Sequence, residues 1–574
     1  MNNKLSGLYL LAGSQADPAS SGWESFGRFS LRFVPGSLVS VSTFQGKWLG
    51  VDGIITGIDR NNQETDADAA LRLVLKKGIN ALYELSGYFT LLFIEKKTGR
   101  ALLISDMMAT RPYYIYNHGG TVYLGPDVSF PARIGLPLTM NRQVLYQMFR
   151  INHPLGGRCL AQEIERTRPF TSYEISDGGL VKRKAPLRIE QMPDQEKTLD
   201  QAADDMHETA SKAVAAILEH PIARSRDLEL PLTAGYDSRH LLAELMDAGR
   251  PPDRIRHVRV DEADYFPVED ICRDLKYDLH APRFEDLDQK NLIRLWLRRT
   301  SGQIHLHQLY LFGVAPSPES RPVLGLTAYL SGLLFSYQPL GTSIHRRHYT
   351  RTGLALLFPD RERHAREFKE QVHTEISRFE GEEPFKKIAV DAVNRSPRYA
   401  GAVFAEFGER AFYIPPAADR ATWEWFLRVP ASLVFRQKAR RRLFERHFPT
   451  LGAYPLNNGY PLIRSRTKKT VPFLSGKAPK REQRRFPRNA VPPTPHAWLR
   501  VLPILHRMID RIVHESALCD QGEINRSAVR FLWKTHQLGA FNGWALMSFV
   551  TTEASHRIII HGEDADSVAD WLTD

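Results

Sequence analysis

The stretch Leu228-Glu-Leu-Pro-Leu-Thr-Ala-Gly-Tyr-Asp-Ser-Arg239 reads as a buried strand, a small-residue loop and the start of a helix. The apolar run ends at Thr233, Ala234 and Gly235 form the loop, and Asp237 and Ser238 stand where a helix N-cap belongs. Leu241, Leu242, Leu245 and Met246 then fall on one face at helical spacing. Backbone N–H groups of such a loop, with the helix N-terminus behind it, make a cradle for phosphate. An ordinary strand–helix turn with an Asp cap has the same pattern. The other phosphate loop is absent: no Gly-x-x-x-x-Gly-Lys-[Ser/Thr] occurs, and Gly46-Lys47 and Gly476-Lys477 lack the upstream glycine.

Helices and strands alternate on both sides of this stretch. Residues 198–218 are predicted helical through Ala202, Met206, Ala210 and Val214, 228–232 a strand, 238–248 a helix, 255–260 a strand and 268–277 a helix. Such alternation predicts a parallel sheet with helices on both faces, whose ligands sit beyond the carboxyl ends of the strands. Upstream, the chain to about residue 185 carries short β-like runs at 8–11, 30–34, 49–51, 88–94, 101–104, 122–124 and 172–175. Asp52-Gly53, His118-Gly-Gly120 and Asp177-Gly-Gly179 read as turns between them, which predicts stacked antiparallel sheets with few helices. The polar segment 188–196 reads as a linker, and the Pro-rich piece 487–495 as a connector before the final helices.

A chain of 574 residues is too long for one core, so two or three domains are expected. Its 43% hydrophobic and 25% charged residues are ordinary globular composition. No apolar run approaches the ~18 residues that span a bilayer, and residues 1–12 read as a first strand rather than a signal peptide. Cys159, Cys272 and Cys519 are far apart and odd in number, which argues against a disulfide framework or zinc site and fits a reducing cytoplasm. The net charge of +12 is concentrated late: residues 464–488 hold ten Lys or Arg and one acid, Glu482. Only Phe473 and Phe486 accompany them, so the stretch reads as a solvated basic loop, and no nucleic-acid partner is expected.

The run Thr233-Ala-Gly-Tyr-Asp-Ser238 resembles the pyrophosphate loop of the asparagine synthetase family, Ser-Gly-Gly-Leu-Asp-Ser, with Ala234 and Tyr236 as departures. Three further pieces, Leu85-Ser-Gly-Tyr-Phe-Thr-Leu-Leu-Phe-Ile94, Leu102-Leu-Ile-Ser-Asp106 and Arg111-Pro-Tyr-Tyr-Ile-Tyr116, resemble class II glutamine amidotransferase domains. Downstream, Ile414-Pro-Pro-Ala-Ala-Asp419, Val429-Pro430, Lys438 with Arg441 and Arg442, His536-Gln-Leu-Gly539 and Glu553 follow the family's order. The resemblance implies an α+β, Ntn-hydrolase-like sandwich of antiparallel sheets over 1–187. Over 198–574 it implies an α/β PP-loop (adenine nucleotide α-hydrolase-like) domain with a parallel sheet and a helical C-terminal part.

The chemistry it implies is ATP-dependent activation of a carboxylate as an acyl-adenylate, with Mg2+ and pyrophosphate release. Thr233, Ala234, Gly235, Tyr236, Asp237 and Ser238 would cradle phosphate, Asp237 would ligate Mg2+, and the strand end from Val258 to Val260 would lie near the adenine. Lys438 would contact pyrophosphate. Tyr329, or equally Tyr310 or Tyr337, would be the acid–base group for the incoming amine. The amidotransferase Cys-Gly-Ile is replaced by Ser6-Gly7-Leu8, and Ser6 lies behind five residues, so glutaminase activity is not expected. The nucleophile would then be ammonia or a substrate amine, as in β-lactam synthetase and lasso peptide cyclases. The partners would be a small-molecule or peptide carboxylate, and for a peptide also a precursor and a processing enzyme.

Two departures bear on this expectation. The family's second loop, Ser-Gly-Glu-Gly-x-Asp-Glu, should fall near residues 324–335, yet no acid occurs between Glu319 and Asp360. A second carboxylate would have to come from Asp261, Glu262 or Asp264. A family Lys before Gly-Phe is Asn458 here. A relative that no longer adenylates, serving as a subunit or nucleotide-binding partner, stays open beside the ligase. His305-x-His307 and His345-x-x-His348 are weak metal signals, without Cys or carboxylate partners at useful spacing.

Overall fold

The computed structural model describes residues 7–12, 23–34, 38–176, 181–184, 189–259, 262–314, 321–335, 356–399, 411–456, 498–499, 502–540 and 542–574. Ser6, Val260, Asp261, Tyr337, His345, His348, Asn458 and the stretches 464–488 and 487–495 lie outside them, as does the Asp177-Gly-Gly179 turn.

Period-two alternation builds the N-terminal part. In β1 (Gly7–Ala12), Leu8, Leu10 and Ala12 face one core while Tyr9 and Leu11 face another. The next strands are β2 (Glu24–Phe26), β3 (Phe29–Val34), β4 (Val39–Phe44), β5 (Lys47–Thr56), β6 (Ser86–Glu95), β7 (Arg100–Ser105), β8 (Tyr114–His118), β9 (Thr121–Gly125), β10 (Ile164–Arg166), β11 (Ser172–Ile175) and β12 (Val181–Lys184). They form two six-stranded sheets, ordered β10-β8-β9-β1-β3-β2 and β12-β11-β7-β6-β5-β4, with antiparallel neighbours. Leu8, Leu10 and Leu124 of the first meet Leu92, Ile94 and Leu103 of the second in one shared core, the sandwich that the alternation predicts.

Helices are more prominent than expected. Asp66–Lys77, opened by a Thr65/Asp68 capping box, covers the outer face of the second sheet through Ala67, Ala70, Leu71 and Val74. The Asp52-Gly53 turn is also corrected: both residues lie inside β5, which pairs with β6 along its length. Gly53 has φ 127°, and any side chain there would strike the Tyr88 carbonyl, so the glycine serves close strand approach rather than reversal. Buried Asp52 accepts from Arg111 Nη2 (2.7 Å) and from the Tyr113 hydroxyl (3.0 Å), which itself accepts from the Leu8 N–H (3.0 Å).

The segment read as a linker is stitched into the second part of the chain. β13 (Ile189–Glu190) pairs in parallel with β18 (Phe379–Glu380), and buried Gln191 accepts from the Glu382 N–H at 3.0 Å. Polarity suggested solvent, but these side chains and backbone groups are satisfied by residues far along the chain.

A five-stranded parallel sheet forms the centre of the second part, as predicted. Its strands β14 (Asp227–Pro231), β15 (Arg254–Arg256), β16 (Leu279–His280), β17 (Val323–Leu326) and β19 (Ala411–Ile414) run in the order β16-β15-β14-β17-β19. Chain order therefore reverses between β14 and β17. Leu228, Leu230, Leu324 and Ile414 face one core with the helix Leu199–Glu219; Val323, Ala411 and Tyr413 face the other, beneath the C-terminal helices Pro503–Glu515, Arg526–Gln537 and Gly543–Ser555. β15 is shorter than predicted, and the helix after it begins at Glu262 rather than at 268. Among the described residues no helix is long and apolar enough to cross a membrane.

The N-terminal sheets and the parallel sheet share a core: Ile54, Tyr88, Met108 and Leu155 pack in the cluster that holds Leu228 and Leu326. Arg168 binds both oxygens of Glu375 (2.7 and 2.9 Å), and Asn394 Oδ1 accepts from the Gly156 N–H at 2.6 Å.

Buried imidazoles give the fold a pH dependence. Burial lowers His153 and His305 to about 3 and His556 to about 4, and lowers His240, His280 and His364 as well. The unfolded chain takes up these protons from about pH 6.5 downward, while the folded chain does not, so stability falls as pH falls through that window. His207, raised by its bond to Glu244, works in the opposite sense, as does Asp106, raised by burial to about 6. Urea midpoints should therefore drop between pH 7 and 5, well above ordinary carboxylate titration; a flat profile would refute this balance.

Candidate active site

The loop after β14 closes on itself. The Ser238 hydroxyl oxygen accepts from the Thr233 N–H (2.9 Å) and lies 3.0 Å from Thr233 Oγ1, and the Gly235 N–H reaches Thr233 Oγ1 at 3.4 Å. The helix starts at Tyr236 with Gly235 as N-cap and no capping side chain. Asp237 and Ser238 therefore sit in its first turn, not at the cap, and the leading N–H groups keep their positive end toward the loop. Fully buried Arg239 fixes the loop from behind, donating to the carbonyls of Ala234 (2.9 Å), Tyr454 (2.8 Å) and Pro455 (2.8 Å). Its burial lowers it to about 10.

Beyond these bonds, two groups of the loop are engaged by residues more distant in the chain. The Ala234 N–H donates to Asp264 Oδ1 at 3.1 Å. Asp237 Oδ1 accepts from Nη1 of Arg440, a fully buried guanidinium whose Nη2 donates to the Ser331 carbonyl at 2.7 Å. Arg440 thus ties the first loop to the one after β17, where a Cβ on Gly332 would lie 2.6 Å from Asp237 Oδ2. No acid stands in residues 324–335, and the Asp237 carboxylate faces Gly332 and Arg440 instead.

This corner stores backbone strain. Leu330 has φ 73°, and Arg436 and Gln437, just before the Arg440 helix, have φ 56° and 63°. Non-glycine residues rarely adopt such angles, and they cluster where a site is over-determined by its surroundings.

Lys438, expected to reach pyrophosphate, is exposed and donates to the Ser432 carbonyl at 3.1 Å. The residue of that helix that reaches Asp237 is Arg440, in phase with buried Leu443 and Phe444, whereas Lys438 is in phase with Arg441 and Arg442. Helical spacing could have found it. Tyr329 packs against the shared core, and burial, then the Asp106 carboxylate, raises its phenol well above the ordinary value. Such a phenol keeps its proton at neutral pH and is no base there. Tyr310 packs against the core beside Trp498, and burial, then Asp264, pushes it up to about 12; Tyr337 lies outside the described residues.

Val258 is buried in the core with Phe284 and Trp498. His305 and His307 lie 2.9 Å apart in the core, and His305 Nε2 meets Ser548 Oγ at 3.0 Å, so they pack rather than bind metal. Cys159 is buried with its thiol pushed to about 11, unlike a nucleophile.

No family model and no curated protein matches the chain. Two solved structures are similar over 49% of it at 12% identity and a TM-score of 0.22: an allosteric regulatory enzyme of purine biosynthesis, covered over 75% of its length, and glutamine phosphoribosylpyrophosphate amidotransferase from B. subtilis, covered over 85%. At that TM-score the function must be argued from the site.

The donor set separates two ligands. Uncapped helix N–H groups and the Thr233 hydroxyl suit phosphate oxygens, whereas the fully buried Arg440 is engaged by Asp237 and the Ser331 carbonyl and joins the two loops. A resident Mg2+ is not suited: Asp237 is taken by Arg440, Asp264 by the Ala234 N–H, and among the described residues no group of three His, Cys, Asp or Glu could hold a metal. The Glu262 side chain lies outside the described residues. A divalent cation would have to arrive bound to the nucleotide.

Proposed function

We propose that this chain is an ATP-dependent carbon–nitrogen ligase of the asparagine synthetase type, with a glutamine amidotransferase-like domain over 1–187 and an amide-forming domain over 198–574. What supports the reading most is the reversal of strand order between β14 and β17, where doubly wound sheets bind nucleotides, bracketed here by the Thr233–Ser238 loop and the Ser331–Gly332 turn that Arg440 joins. In this reading a carboxylate oxygen attacks the α-phosphorus of ATP, pyrophosphate leaves, and an amine nitrogen then attacks the acyl carbon and expels AMP. Thr233 and the first-turn N–H groups hold the β- and γ-phosphates, and buried Arg440 keeps the two loops in place around them through Asp237 and the Ser331 carbonyl. The carboxylate is a small molecule or a peptide, and its amine partner lies on the substrate or is ammonia. The first domain contributes structure rather than ammonia, consistent with a buried Cys159 and a core shared with the parallel sheet.

A non-catalytic relative is the second reading, and the Arg440–Asp237 pair in place of a metal centre favours it. Calorimetry with Mg·ATP on the native chain and Asp237→Asn separates the two. The ligase reading expects micromolar binding weakened about tenfold or more, roughly 1.4 kcal/mol, by the substitution, because the Asp237 carboxylate anchors the Arg440 fork that joins the two loops. Absence of binding by the native chain, with and without candidate carboxylates, would sink it.

A further inference from the structure

Where the N-terminal sheets meet the helices of the second part, a cleft is lined by three guanidinium groups: Arg166 at the end of β10, Arg299 of the helix Gln289–Thr300 and Arg398 of the helix Glu383–Tyr399. Arg166 and Arg398 are 5% and 6% exposed. Among the described residues neither has a carboxylate partner. Arg398 donates to the carbonyls of Arg158 (2.9 Å) and Gly156 (2.6 Å), and Arg166 Nη2 to the Pro397 carbonyl (2.8 Å). Neighbouring Glu375 is already engaged by Arg168 and Arg378. Burial, and then Arg166, lowers Arg398 to about 10, so the two cations strain one another.

Buried charge costs several kcal/mol unless a counter-charge repays it. Carbonyl oxygens satisfy donors but do not neutralise two like charges. The counter-charge has a place to sit, since the remaining Arg166 donors are not enclosed by protein and the cleft that they line is open. Thr300 and Gln303 add polar groups to the same wall, and Gln303 Nε2 donates to the Tyr114 hydroxyl at 2.8 Å. Pro112, Pro126 and Pro154 add apolar surface to the lining. Guanidinium forks match oxyanions in shape as well as charge.

We propose that this inter-sheet cleft, apart from the Thr233–Ser238 loop, binds a small oxyanion, a carboxylate or a phosphate, clasped by Arg166, Arg299 and Arg398. The bound anion joins β10 to two helices of the second part.

Thermal unfolding of the full chain tests this at constant ionic strength, with chloride exchanged for inorganic phosphate or for benzoate. Unfolding should shift upward with the logarithm of anion concentration for at least one of them. A phosphate-only effect assigns a tetrahedral anion, a benzoate-only effect a carboxylate with an apolar body, and an effect of both an oxyanion of either shape. Arg166→Gln should weaken the response at least tenfold in apparent affinity, and without anion should unfold no earlier than the native chain, because a like-charged neighbour of Arg398 is gone. Arg299→Gln, in a half-exposed position, gives the same readout should Arg166→Gln fail to fold. No shift from either anion, or a shift that the folded variants keep, overturns the proposal; the second result would place the anion at the Thr233–Ser238 loop instead.

Discussion

Glu229→Ala should destabilise the chain by about 3–5 kcal/mol, the cost of breaking a buried ion pair from one side. Glu229 lies on β14 with no exposed surface, receives Arg256 Nε from β15, and accepts the Tyr413 hydroxyl from β19, two strands away on the other side. Tyr413 gets there because its neighbour in register on β17 is Gly325: any Cβ at Gly325 would run into the Tyr413 ring. Removing the carboxylate leaves a buried guanidinium and a buried phenol without their acceptor. Paired replacement by Leu at 229 and Met at 256 should recover part of the loss, since the apolar pair removes the buried guanidinium while the Tyr413 phenol stays without its acceptor. Denaturant midpoints of the single and double variants decide it. A single variant within about 1 kcal/mol of the native chain would show that the network contributes little.

Arg440→Gln should weaken ATP binding more than tenfold, about 1.4 kcal/mol or more, and Arg440→Lys should restore little of it. Nη1 engages Asp237 while Nη2 holds the Ser331 carbonyl, so one planar fork spans both loops. An ammonium on a flexible stem is a point charge without that fork. Asp237 is 41% exposed at its side chain, so losing its partner costs less fold stability than losing Glu229 would. Calorimetry on the native and variant proteins reads the effect directly. Tighter Mg·ATP binding by Arg440→Gln would mean that the arginine plugs the site, and would favour the non-catalytic reading over the ligase.

Local pattern was enough for the elements around the candidate site. Short β-like runs placed β1, β3, β5, β6, β7, β9 and β11 but not β2, β4, β10 or β12, and the alternation of 228–232 with helical runs placed the parallel sheet, because backbone sterics and burial act over a few residues. The same local rules misread Asp52-Gly53 as a turn and 188–196 as a linker, since the partners that explain them, Tyr88 and Phe379–Glu380, are distant in sequence. They also put Asp237 at a helix cap, whereas Lys438 was named from the family resemblance.

The charge pattern was legible in part. A missing second-loop acid is visible in the sequence, and so is the helical phase that puts Arg440 beside Leu443 and Phe444. That a guanidinium 203 residues downstream occupies Asp237 is not, nor is the gathering of Arg166, Arg299 and Arg398 around one cleft. Sequence alone determined the antiparallel class of the first sheets, the parallel class of the second, and the strand, loop and helix around residues 228–247. Tertiary structure decided which charges are paired and which are left facing a cavity, because the sign of a buried interaction depends on the neighbour that desolvates it, and that neighbour comes from elsewhere in the chain.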